Sequence, residues 1–141
     1  MNIHSVMTPN PRYATPRSSL HDIACMMRDE DVGEIPIAEV DGSPRLVGVI
    51  TDRDIVVRAV AGGGDLAKIT ARECMTEQPV TVTEDATLED CARLMASQRV
   101  RRVPVVDSRG MLCGIVSQSD LQATDARSLK QEVADRVSTP H

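Results

Sequence analysis

Two stretches of the chain place an apolar residue at every third or fourth position: Leu20, Ile23, Ala24 and Met27, and again Leu88, Cys91, Ala92 and Met95. That spacing lays one apolar stripe along an α-helix. Each stretch opens on a hydroxyl residue, Ser19 or Thr87, with Asp22 or Asp90 three residues on, the pattern of an N-cap with a capping box. Short extended pieces, Arg12 to Thr15 and Val80 to Thr83, precede the helices. Strand-like apolar runs follow them, Ile35 to Val40 and Val103 to Val106. Turn-rich links, Asp41-Gly42-Ser43-Pro44 and Asp107-Ser108-Arg109-Gly110, lead to further strands at Leu46 to Ile50 and Met111 to Val116. A second helix then begins at Thr51 and at Ser117.

The two halves are copies of one unit. Met7-Thr8 recurs as Met75-Thr76, Pro11 as Pro79, Leu20 as Leu88, Asp22 as Asp90, Met27 as Met95, Val32 as Val100 and Pro36 as Pro104. After a two-residue deletion in the second copy, Gly48 matches Gly114, Thr51 matches Ser117 and Asp54 matches Asp120. Each unit reads β-α-β-β-α, too small to bury much surface alone, so the two are expected to pack sheet to sheet. The division expected from the repeat is residues 1–66 for the first unit with its N-terminal segment, 67–124 for the second, and 125–141 for a helical tail through Leu129 and Val133. Gly62-Gly63-Gly64 ends the first unit's last helix, and Thr70-Ala71-Arg72-Glu73 has the form of another capping box.

Composition narrows the partners. The formal net charge is −5, and the chain has one Tyr and no Phe or Trp. An acidic chain without aromatic platforms is not built for nucleic acid or anionic membrane, and any purine must lie between aliphatic side chains. No apolar run is long enough to span a bilayer. Met1-Asn2-Ile3-His4-Ser5 lacks the basic cluster and apolar core of a secretory leader, so the expected location is the cytoplasm. The four cysteines form no Cys-x-x-Cys pair. In the repeat Cys74, Cys91 and Cys113 replace Val6, Ile23 and Val47, which points to packing, whereas Cys25 stands off the apolar stripe.

The segments richest in chemistry are Gly48-Val49-Ile50-Thr51-Asp52-Arg53-Asp54 and Gly114-Ile115-Val116-Ser117-Gln118-Ser119-Asp120. Each sets a hydroxyl and an acid three residues apart where a strand becomes a helix. Free amides at a helix N-terminus suit a phosphate, and a carboxylate can accept both hydroxyls of a ribose. The same spacing also makes a plain capping box. Pro36 and Pro104 sit inside strands, where a missing amide fits an edge or a bulge. Arg99, Arg101 and Arg102 precede Pro104 and are a candidate local anion site in an acidic protein, the alternative being a solvated strand entrance. The first copy has Asp31, Gly33 and Glu34 there, so the two sites are expected to differ. Catalysis has little support: His4, His21 and His141 lie outside the motifs, and Gly62-Gly63-Gly64-Asp65 lacks a Walker ending.

The doubled pattern Met-Thr…Pro…apolar-Pro-apolar…Gly-x-x-[Ser/Thr]-x-x-Asp resembles the paired cystathionine-β-synthase (CBS) domain module over residues 5 to 123. The resemblance implies an α+β fold, two repeats about a pseudo-twofold axis and two clefts. One cleft would take Thr51, Arg53 and Asp54 with Val80, Thr81, Arg101, Arg102 and Val103, Asp54 holding a ribose and Thr51 with the arginines holding phosphates. The other would take Ser117, Ser119 and Asp120 with Arg12, Tyr13, Gly33, Glu34 and Ile35, where Glu34 is an unfavourable neighbour for phosphate. It also implies a stand-alone prokaryotic regulatory module, no required cofactor, and AMP, ADP or ATP as ligand, with S-adenosylmethionine or NAD as further options. A homodimer acting on an unknown regulated protein is expected. Competing expectations are a metal- or redox-responsive stress protein on the same fold, resting on Cys25 and the histidines, and a ligand-free dimerisation module.

Overall fold

The computed structural model describes residues 2–124; the tail helix expected over 125–141 lies outside the described residues. A 3₁₀ turn, Ile3–Ser5, opens the chain, followed by β1 (Thr8–Pro9), α1 (Leu20–Glu30), β2 (Glu34–Asp41) and β3 (Ser43–Thr51). Next come α2 (Asp52–Asp54), which runs on as a π-helical stretch (Ile55–Val60), then α3 (Ala71–Cys74) and β4 (Thr76–Glu77). The second copy supplies β5 (Val82–Thr83), α4 (Leu88–Gln98), β6 (Arg102–Val106) and β7 (Leu112–Ser117), and residues 118–124 begin a last helix, α5.

The helices start where the hydroxyls stand. Ser19 Oγ accepts the Asp22 amide and Thr87 Oγ1 accepts the Asp90 amide, each at 3.1 Å. The reciprocal bond that completes a capping box forms elsewhere, at Thr51, Thr70 and Ser117. Both long helices end on a residue in the left-handed region, Asp31 (φ 55) and Arg99 (φ 56), which turns the chain sharply into the next strand.

Two sheets result, ordered β2-β3-β4 and β1-β7-β6-β5. Each is built on an antiparallel hairpin with a register shift, between Ile37 and Ala38 in one and between Val105 and Val106 in the other. Val82 pairs in parallel beside Val105, and Ala14 takes the same place beside Ile37. Pro36 lies on the edge strand β2, and Pro104 lies just beyond the reach of β5, so neither missing amide breaks a ladder.

The lead-in segments cross over. Met7-Thr8 of the first repeat does not pad its own sheet: β1 pairs with β7, and Ile3 is fully buried in the second unit's core. Conversely β4 pairs with β3, and Ala71, Cys74 and Met75 fill the first unit's core. In space, then, the repeat boundary near residue 66 separates sequence copies rather than packed bodies. The crossing needs glycine. A methyl at Gly48 would come within 2.9 Å of the Thr76 carbonyl oxygen, and one at Gly114 within 3.1 Å of the Thr8 carbonyl oxygen. The units also touch through β3 and β7, where the Leu46 amide donates to the Gly110 carbonyl and Arg45 Nη1 to the Arg109 carbonyl, both at 3.2 Å.

The cysteines follow the repeat. All four are free; Cys74 and Cys91 are buried, while Cys113 and Cys25 are partly exposed. Burial pushes the thiols of Cys74, Cys91 and Cys113 up, which keeps them protonated and unreactive.

Candidate functional site

The last rung of each hairpin delivers a hydroxyl to a helix start and faces it with the residue two before a proline: Thr51 pairs with Glu34, and Ser117 with Arg102. Glu34 and Arg102 are thus equivalent positions of the repeat with opposite charge. At the first corner the Thr51 amide donates to Asp54 Oδ2 (3.0 Å) and the Asp54 amide to Thr51 Oγ1 (3.1 Å). The second corner repeats this with Ser117 and Asp120 at 2.9 and 3.1 Å. Both acids therefore cap helices, the plainer of the two sequence readings.

The capping leaves specific groups over. Asp54 keeps Oδ1, with Arg58 Nε 3.7 Å away. Thr51 Oγ1 accepts from Asp54, so its own hydrogen remains to be donated. The free amides expected at the N-terminus of α2 are not free. Asp52 N–H donates to the Gly33 carbonyl (2.9 Å), Arg53 N–H to the Asp52 side chain (2.8 Å), and Asp54 N–H to Thr51. The groups left free at this corner are therefore side chains, not backbone amides.

A cleft of about 650 Å³ opens beside the first corner, lined by Gly33, Glu34, Thr51, Asp52 and Arg53 from one unit and Arg99, Val100, Arg101 and Arg102 from the other. Four guanidinium groups against two carboxyl groups make it a positive pocket on an acidic protein. Of the residues expected together, Thr51, Arg53, Arg101 and Arg102 line it. Asp54, Val80, Thr81 and Val103 do not: Asp54 stands behind Thr51 as its cap, and Val103 is buried in the second core.

The second expected group is divided. Arg12, Glu34 and Ile35 line a smaller cleft of about 190 Å³ with Thr8, Ile115 and Arg102. Gly33 lines the large cleft instead and Glu34 lines both, while Tyr13, Ser117, Ser119 and Asp120 line neither. Ser117 Oγ and Ser119 Oγ lie 2.8 Å apart and share one hydrogen bond, in which either can donate. Asp52, Arg99 and Val100 belong to the large cleft without having been assigned to it. Arg99 was legible as part of the arginine cluster. Asp52 had no signal beyond its place after Thr51.

Glu34 and Arg102 form the wall common to both clefts. Glu34 Oε2 and Arg102 Nε are buried and find no hydrogen-bond partner among the described residues. Burial raises the Glu34 carboxyl to about 7; Arg102 pulls it down less than burial pushes it up, and Asp54 adds to the rise.

Among the described residues no three His, Cys, Asp or Glu side chains gather to hold a metal ion. No described helix is long and apolar enough to cross a membrane. His21 Nε2 and Cys25 Sγ lie 3.7 Å apart on α1.

Comparison with known families matches residues 3–60 and again 71–124 to the CBS domain. Protein YlbB of Bacillus subtilis, itself uncharacterized, is 40% identical over 124 residues, covering 87% of this chain and 81% of its own length. Among solved structures, Hypoxic Response Protein I, a protein of Mycobacterium tuberculosis whose structure holds two coordinated zinc ions, superposes with a TM-score of 0.79 at 32% identity, covering 87% of this chain and 98% of that one. CBSX2 of Arabidopsis thaliana, solved in complex with AMP, superposes at 0.76 with 27% identity over 92% of this chain and 98% of its own.

Proposed function

Because this chain belongs to the CBS domain family and carries two of its units in tandem, we propose that it is a regulatory module, not a catalyst, that binds an adenosine nucleotide in the large cleft between the units. The observation that carries this reading is the convergence of Arg53, Arg99, Arg101 and Arg102 with the Thr51 hydroxyl on one cavity of nucleotide size. Arginine forks and a hydroxyl donor suit phosphate oxygens. Of the aliphatic residues only Val100 lines the cleft and can flank the base, while Asp54, which caps α2 from behind Thr51, acts on the ligand through the position of the Thr51 hydroxyl. The AMP complex of CBSX2 supports AMP as the first ligand to try. ADP, ATP, S-adenosylmethionine and NAD remain alternatives for the same cleft. The small cleft, about 190 Å³, is too small for a nucleotide. A hollow of about 530 Å³ beside the second corner, with Arg99, Arg101 and Gln118 in its lining, includes neither Ser117 nor Asp120, so one nucleotide per chain is the expected stoichiometry.

The capping geometry makes a clean test. Asp54 and Asp120 cap their helices with nearly identical bonds, so each replacement by alanine loses about 1 kcal/mol of cap stability. Any difference between the two in AMP binding then reports the ligand. Titration calorimetry is expected to show Asp54→Ala weakening binding more than Asp120→Ala; equal losses or the reverse order contradict the assignment.

A second reading has one specific support. A structural relative holds zinc, and His21 and Cys25 lie together on α1. On that reading the protein is a metal- or redox-responsive module. Total-metal analysis of the purified protein and thiol counting before and after mild oxidation test it; a metal-free protein with four titratable thiols in both states removes it.

A further inference from the structure

We propose that Glu34 couples ligand to proton: a phosphorylated ligand enters the large cleft together with one proton taken from solvent and held on the Glu34 carboxyl, whereas a ligand without phosphate enters with none. This rests on the reading that the cleft takes an adenosine phosphate.

The argument begins with position. Glu34 occupies the repeat position of Arg102, so one member of a symmetric pair is an acid exactly where its counterpart is a cation. Its Oε2 is buried without a donor, although four arginines line the same cavity. An acid so placed is half-compensated in the empty cleft, and its carboxyl accordingly titrates near neutrality.

The charges around it decide what an incoming anion does. Arg102 faces it from β6, with Arg99 and Arg101 on the turn before β6. From the corner of α2 come Asp52, Arg53 and Asp54. In the small cleft Arg12 and Glu30 face it from the other side, 3.8 Å apart and paired with each other. A phosphate in the large cleft engages Arg101 and Arg102 and withdraws the one attraction that favours ionised Glu34. It also adds negative charge beside Glu34. Both changes favour the neutral acid. Once protonated, Glu34 carries an O–H that a phosphate oxygen can accept, which gives its orphaned oxygen a partner.

The probes are AMP and adenosine, titrated calorimetrically into the whole protein and into Glu34→Gln between pH 6.5 and 8.5. Uptake of one proton makes affinity fall about tenfold per pH unit once Glu34 is ionised in the free protein. The phosphate's own second ionisation, near pH 6, is common to both proteins. For the unmodified protein, AMP affinity is expected to fall about tenfold between pH 7.5 and 8.5. Measurements in two buffers of different ionisation enthalpy are expected to give close to one proton taken up. Glu34→Gln is expected to bind AMP without that slope, and adenosine to bind with no slope in either protein. An AMP affinity that is flat in the unmodified protein, or that keeps the same slope in Glu34→Gln, overturns the proposal. Absence of AMP binding by both proteins at every pH overturns the nucleotide reading beneath it. The buffer experiment needs no variant, so the outcome does not hang on how well Glu34→Gln folds.

Discussion

At the scale of single residues, the site is made by side chains that cost the fold something. Arg99 ends α4 in the left-handed region, which glycine adopts freely and a long side chain does not. Its counterpart Asp31 has the same backbone but does not line the large cleft. Arg99→Gly is expected to leave stability unchanged or raise it by about 1 kcal/mol while weakening AMP binding by about threefold to tenfold. Asp31→Gly is expected to give the stability gain alone; thermal melts and calorimetry on the pair check both. Glu34 carries a second cost. Its carboxyl, near 7 in the fold, ionises near 4.5 in an unfolded chain, so the folded protein holds a proton that the unfolded chain has released between those values. Stability therefore falls as pH rises from about 4.5 to about 7, by roughly 3 kcal/mol when complete. Glu34→Gln is expected to be more stable than the parent at pH 8 by about that amount and little different at pH 4.5. Denaturation curves at the two pH values measure it, and equal differences at both would contradict the burial of this acid.

At the scale of elements, most of the architecture was legible because it is written twice. Ser19 and Thr87 begin the long helices, the Asp107-Ser108-Arg109-Gly110 turn falls between β6 and β7, and Thr51 and Ser117 mark the strand-to-helix corners. The link expected at Asp41-Gly42-Ser43-Pro44, by contrast, shrinks to Gly42, its other residues pairing within β2 and β3. Three features left no local trace. The first is the crossing of the lead-in segments: Ile3 is apolar in either unit, and nothing near it names the core it enters. The second is the π-helical stretch after Asp54, where the Ala61 amide reaches back to the Val56 carbonyl (3.0 Å) instead of continuing a regular helix. The third is the internal use of the α2 amides, because Asp52 satisfies the Arg53 amide that a phosphate would need. The sequence pattern thus located the corner and its side chains, but it also counted on free backbone amides that the structure shows engaged. The crossing itself is testable. Gly48→Ala sets a methyl against the Thr76 carbonyl, which is backbone and yields little. The substitution is expected to destabilise by about 1 to 3 kcal/mol in chemical denaturation. A neutral result would mean that β4 does not lie against β3 as described.

At the scale of the whole molecule, the pseudo-twofold relation brings unlike residues to equivalent places, and that asymmetry makes two clefts of different character from one repeated unit. Four arginines and the Thr51 hydroxyl line the large cleft, whereas the hollow of about 530 Å³ beside the second corner has Arg99 and Arg101 but not the Ser117 hydroxyl in its lining. The π-helical stretch also leaves Val56, Val57 and Val60 more than half exposed. These exposed valines are where the homodimer expected from the sequence is tested. Val56→Glu with Val60→Glu is expected to halve the mass found by light scattering without changing the circular dichroism; an unchanged mass would place any dimer contact elsewhere. The central claim, that the cleft between the units takes an adenosine phosphate, has its most direct test in calorimetric titration of the unmodified protein with AMP at moderate salt and pH 7. The account predicts saturable binding well below millimolar, at one AMP per chain, weakened by added salt as the arginine contacts require. No binding below millimolar by AMP, ADP, ATP or S-adenosylmethionine would contradict it and leave the two corners as helix caps within a ligand-free dimerisation module.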